Sequence, residues 1–138
     1  MTKFAGIFSV AAGIILIVAA AVTWVVVTNQ LAAENITIGD DANCMAGEQV
    51  NGPITAFCQA DLINEHALAA TDGLTYAEMD RDDPRRATAM NASFLRASLF
   101  TSVVAYGVAA MAAGLGVVLL FLGIAVGSMS EKIEESTA

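Results

Sequence analysis

The chain carries little charge for its length. Of its 138 residues only 14% are charged, against 57% hydrophobic, whereas about a quarter is usual in soluble domains. Charge is missing altogether from Phe4 to Ala33 and again from Ala97 to Ser130. Each run exceeds the roughly 20 apolar residues that cross a bilayer core of about 30 Å, which excludes an ordinary soluble globule. Basic residues are scarce too: six Lys and Arg stand against fourteen Asp and Glu, a net charge of −8. That balance excludes nucleic acid as a partner and disfavours docking on anionic headgroups. There is one histidine, His66, and there are two cysteines, Cys44 and Cys58. Together they fall short of a four-ligand zinc set. No nucleophile–base set, phosphate loop or nucleotide fingerprint occurs. The sequence therefore reads as a non-enzyme with no cofactor, no metal site and no catalytic residue.

What is present is a polar island between two greasy segments. Residues 34 to 96 hold eleven of the fourteen acidic groups and four of the six basic ones. The first apolar run is too long for a signal peptide, whose h-region spans about 7–15 residues. It holds thirteen Ile, Leu, Val and Phe residues between Phe4 and Thr28, which favour insertion by about 4 to 8 kcal/mol. An uncleaved anchor is expected. Counted alone, Arg81, Arg85, Arg86 and Arg96 would keep the island cytoplasmic, but islands of about 60 residues cross largely regardless of charge. A cysteine pair is most simply a disulfide in an oxidising compartment. The expected topology is a multi-pass protein of the plasma membrane with both termini cytoplasmic and the island outside. Trp24 and Tyr106 are placed in the interfacial aromatic belt.

The expected fold class is an all-α membrane protein, a two-helix transmembrane hairpin with a small, mostly helical, disulfide-stapled cap. Residues 1–33 form the N-terminal tail and first span, 34–83 the cap, 84–130 a long helix containing the second span, and 131–138 an acidic tail. Within the cap, NITI (Asn35 to Ile38) is β-prone and Asn51-Gly52-Pro53 marks a turn. Thr55 opens a helix that Gly73 stops. Thr75-x-x-Glu78 is a capping box, and Asp83-Pro84 is a helix start. The second run extends beyond a bilayer's thickness, so its apolar outer part needs a cover. Phe57, Leu62 and Ile63 are expected to pack on Phe94, Leu95, Leu99 and Phe100 as the cap core. A Cys44–Cys58 bond would then close a small domain that buries little apolar surface.

Other constellations are weaker. His66 beside Glu65 reads as structural or solvent-exposed. Asp80, Asp82 and Asp83 resemble the start of a calcium loop but lack its later Gly and Glu. In the second span, Ala109, Ala112 and Gly116, then Gly123 and Gly127, offer small residues at helical spacing for close helix packing. They point to membrane lipid and to another membrane protein, or further copies of the chain, as partners.

The runs VTWVVVTNQLAAENITIGDDA (Val22 to Ala42), GPITAFCQA (Gly52 to Ala60), LTYAEMDRDDPRR and MNASFLRASLFTSVVAYGVAAMAAGLGVVL resemble a family of small two-span membrane proteins of actinobacteria. The resemblance covers nearly the whole chain. Its members are often labelled as an aromatic ring-opening dioxygenase subunit, a label that implies a non-haem iron site with histidine and carboxylate ligands. With one histidine the chain cannot supply that set. The resemblance thus implies a small membrane protein and carries no catalytic residue onto this sequence. The functional expectation is an accessory or interaction subunit of a larger membrane complex, and the competing class is a homo-oligomeric scaffold or channel.

This topology makes a direct prediction. A cysteine replacing Asp72 is expected to react with a membrane-impermeant maleimide applied from outside, and one replacing Ser136 is expected to stay unlabelled. The reverse pattern would overturn the orientation.

Overall fold

The computed structural model describes residues 2–137 of the chain, with side-chain surroundings for residues 2–129. Among the described residues the fold is all-helical, with α1 at Thr2–Ala33, α2 at Pro53–Ala70 and α3 at Arg86–Thr137. Helices α1 and α3 are long and apolar enough to cross a membrane. The chain divides into two compact units, Met1–Val25 with Gly107–Ala138, and Val26–Tyr106. We call them the hairpin unit and the cap unit.

In the hairpin unit α1 and α3 run antiparallel, Gly6 against Gly123 and Gly13 against Gly116. The backbones nearly touch there. A Cβ built on Gly13 would lie 2.7 Å from the Gly116 carbonyl oxygen, and one on Gly123 would lie 2.8 Å from that of Gly6. Buried Ala20 and Ala109 extend each series by another seven residues. Seven residues are about two helical turns, so the small positions stay on one face and admit close backbone contact along it.

The cap unit is built around a short paired segment and α2. Thr37 and Gln49 form an antiparallel bridge. The Ile38 N–H donates to the Glu48 carbonyl at 3.0 Å and the Val50 N–H to that of Ile36 at 2.9 Å. This pairing buries Ile38 and Val50. The Cys44–Cys58 disulfide joins the loop beyond it to α2. Helix α2 starts at Pro53, two residues earlier than the sequence signal at Thr55. Proline suits the first helical position because its missing N–H has no partner to lose. Thr55 is instead a cap from within, its Oγ1 accepting the Gly52 N–H at 3.0 Å. At the other end the Gly73 N–H donates to the Leu68 carbonyl at 2.8 Å, with Gly73 at φ +82°. That is the six-to-one bond of a Schellman stop, whose left-handed residue is Asp72 at φ +54°, with Gly73 following it also at positive φ.

Helix α3 departs from the expected 84–130 at both ends. It begins at Arg86, because Asp83 and Pro84 form a tight turn before it. Asp83 Oδ1 accepts the Arg85 N–H at 2.8 Å, and the Asp83 carbonyl accepts the Arg86 N–H at 3.0 Å. The helix then continues to Thr137, through most of the segment 131–138 expected as a separate tail. Nothing in that segment breaks a helix, and Glu and Lys favour one.

The cap core also differs from expectation. Leu62 and Leu99 are buried in it, with Leu31, Ile38, Val50, Ala56, Ala60 and Tyr106. Ile63 and Phe100 are half-buried against it. Phe57, Phe94 and Leu95, expected inside, are 48%, 67% and 56% exposed. The reason is that α2 turns its small residues inward: Ala56 and Ala60, one turn apart, are fully buried. Phe57 follows Ala56 and so points about 100° around the helix, where it meets only the edge of Phe100, ring centroids 6.0 Å apart. Leu95 borders an open groove whose α2 side is lined by Ile63, His66, Ala67 and Ala70.

Cys44→Ser is expected to lower cap stability by about 2–4 kcal/mol, since the bond closes a loop between residues 14 apart. Thermal unfolding in mild detergent measures this. Mass spectrometry without reductant should find the wild-type chain two hydrogens lighter than after reduction, and free thiols in fresh protein would refute the staple.

Candidate interaction surfaces

Several polar groups of the cap hold its loops together. His66 Nε2 donates to Asp41 Oδ2 at 2.6 Å. A carboxylate only accepts, so Nε2 carries the proton. The bond to His66 holds the Asp41 carboxyl below the usual aspartate range. Asn43 Nδ2 donates to Glu65 Oε1 at 2.6 Å, so two contacts tie the loop before Cys44 to α2. Both are exposed and contribute little to stability. Their effect is positional.

The charges at the start of α3 act in the same way. Arg85 reaches Asp83 Oδ2 at 2.9 Å and Asp72 Oδ2 at 2.6 Å. Asp83 first and then Asp72 raise the Arg85 pKa, and the Arg85 guanidinium in turn lowers that of Asp83. Arg86 donates to the Met79 carbonyl at 2.6 Å and lies 4.0 Å from the centroid of the Tyr76 ring. The Thr75 N–H and hydroxyl both donate to Glu78 Oε2, at 2.8 and 2.7 Å, and hold Glu78 below its usual value. The acidic run therefore includes one half of an arginine clamp. Among the described residues no group of three His, Cys, Asp or Glu side chains is placed to hold a metal.

Tyr106 is not in a belt facing lipid. It is 2% exposed, with its hydroxyl 2.8 Å from Thr28 Oγ1 and donating to the Asn51 carbonyl at 3.4 Å. A phenol can be buried once its oxygen has partners, and here one side chain links α1, α3 and the turn before α2 within the cap unit. Nothing local in the sequence marks those partners. Trp24, the other belt residue, is 41% exposed.

The small residues of α3 divide in two. Ala109, Gly116 and Gly123 are buried and Ala112 is half-buried. Gly116 and Gly123 serve the hairpin's own seam. A Cβ on Gly127 would meet nothing within 4 Å, yet the Gly127 N and Cα lie 3.2 and 3.5 Å from a Cβ built on Gly6, so Gly127 borders the seam through its backbone alone. The partner of this seam on α1 is Gly6 with Gly13. Its signal is small residues recurring every seven, in place of the four-residue spacing expected above.

Several large apolar side chains in the charged cap remain uncovered: Ile54 at 66%, Phe57, Phe94 and Leu95. Comparison of the chain with protein-family models, curated proteins and solved structures finds no match in any of the three.

The two glycines make a paired prediction. Gly123→Ala places a Cβ against backbone that cannot rotate away, and is expected to cost about 1–3 kcal/mol. Gly127→Ala should leave folding unchanged. Melting temperatures in one detergent compare them, and equal effects would contradict the seam.

Proposed function

We propose that the protein is an integral membrane protein that works by contact, as an accessory or interaction subunit of a larger membrane complex. Helices α1 and α3 cross the plasma membrane, the cap lies outside, and both termini are cytoplasmic. This reading makes it no enzyme and gives it no cofactor. It agrees with the resemblance to small actinobacterial two-span proteins.

One observation carries the reading. The cap unit, which holds most of the chain's charge, leaves Ile54, Phe57, Phe94 and Leu95 largely exposed. A few such side chains are ordinary on any surface, but large apolar ones close together favour a binding face. Ile54 and Phe57 lie three apart on α2, hence on one face. The membrane supports the same economy, since spans without ionisable side chains suit packing and not transport.

The test is extraction of the tagged chain from its native membrane in mild detergent. A second integral membrane protein is expected at fixed stoichiometry. Ile54→Ser with Phe57→Ser should release it by tenfold or more while the Cys44–Cys58 bond still forms. A particle containing this chain alone would overturn the accessory role.

A further inference from the structure

We propose that the cap unit binds a single carboxylate group at Arg96, in a small polar pocket between α2, α3 and the segment that joins them. The pocket lies wholly within that unit. Its volume is about 50 Å³, and its polar wall is made by Asn64, Thr71, Thr75, Tyr76, Ser93 and Arg96. A single water needs roughly 10–15 Å³, so the pocket admits a carboxylate and little more. The rest of a larger acid has to stay outside.

Arg96 is the reason to expect a ligand. It is half-buried, and its Nε is buried with no hydrogen-bond partner. Among the described residues no carboxylate stands within ion-pair distance of its guanidinium. The contact made by its charge is with the Phe100 ring, 5.8 Å from the centroid. An aromatic face attracts a cation but gives the Nε–H no lone pair, and a buried charged donor left without an acceptor is costly. The neighbouring arginines are not in this position. Arg85 pairs with Asp72 and Asp83, and Arg86 donates to the Met79 carbonyl. In a chain of fourteen acidic residues, the acceptor for Arg96 is still missing.

The wall narrows the choice of ligand. Thr71 donates its hydroxyl to carbonyls around the end of α2, Thr75 to Glu78 and Ser93 to the Ala89 carbonyl. Asn64 and Tyr76 make no side-chain hydrogen bond among the described residues, so their donors join those of Arg96 in facing a ligand. Glu78 is turned to Thr75 and Asp72 to Arg85, and neither offsets the charge of Arg96. One cation balances one negative charge, which favours a monoanion over phosphate. The planar guanidinium fork matches the two oxygens of a carboxylate and not a spherical halide. That carboxylate belongs either to a free small acid or to a partner protein's acidic side chain or C-terminus.

The experiment uses the full chain in mild detergent, with sodium acetate as probe and the arginine Nε–H resonances as readout. The Arg96 resonance, identified by its loss in Arg96→Gln, is expected to shift saturably, with half-saturation at least tenfold below that for sodium chloride. Arg96→Lys keeps the charge but loses the fork, and should weaken acetate protection against thermal unfolding tenfold or more. Asn64→Ala leaves the arginine in place and should weaken the shift at least threefold, which keeps the test open where Arg96 variants fail to fold. Arg81→Gln, outside the pocket, should change nothing. No saturable shift, an equal response to chloride, or full acetate protection of Arg96→Gln overturns the site. The source of the carboxylate is read from native membranes. If Arg96→Gln, with its disulfide formed, releases the second membrane protein expected above, the partner supplies the group. If that protein stays, or none is found, acetate binding supports a free acid as the ligand, and the absence of a second protein removes the accessory role alone.

Discussion

Where Gly6 meets Gly123 and Gly13 meets Gly116, two helix backbones approach as closely as backbones can. In hydrocarbon there is no hydrophobic gain in bringing two apolar helices together, because lipid tails are as apolar as leucine. Association depends on dispersion and close fit, and a missing Cβ on both sides makes the fit possible. The requirement explains why small residues recur every seven positions on both α1 and α3. On these two helices, long and apolar enough to cross a membrane, many of the Ile, Leu, Val and Phe side chains turned away from the seam are exposed.

The cap obeys a different physics. It is too small to be held by apolar burial alone, and most of its length lies outside regular elements or in one short helix. Its order comes from point contacts between segments far apart in sequence. The disulfide joins the bridge-bearing loop to α2, the Arg85 clamp joins Asp72 to Asp83, and the Tyr106 hydroxyl gathers Thr28 and Asn51. Each removes freedom from a loop that packing would leave loose. The His66–Asp41 bond belongs to this set.

The cap thus buries an apolar core of Leu31, Ile38, Val50, Leu62 and Leu99, keeps the His66–Asp41 and Arg85–Asp72 pairs at its surface, and still leaves Ile54, Phe57, Phe94 and Val104 uncovered.

Much of the architecture was legible in the residues. Two charge-free runs longer than a bilayer is thick specify two long helices, and a lone cysteine pair in a polar island specifies a disulfide. The turn at Asn51-Gly52-Pro53 and the stop at Gly73 follow from φ restrictions that act within a few residues. All of these are local rules, and local rules can be read along a chain. Which face each helix turns inward was a tertiary decision. Ala56 and Ala60 displaced Phe57 from the core because small residues let α2 approach more closely than a phenyl ring allows. Tyr106 lost its place in an interfacial belt because its hydroxyl found Thr28 and Asn51, 78 and 55 residues away. Gly127 meets Gly6 through its backbone alone, whereas Gly123 is closed on the side where a Cβ would stand. Pairing across such distances depends on the space left when every element is packed at once, and the order of residues along the chain does not contain that space.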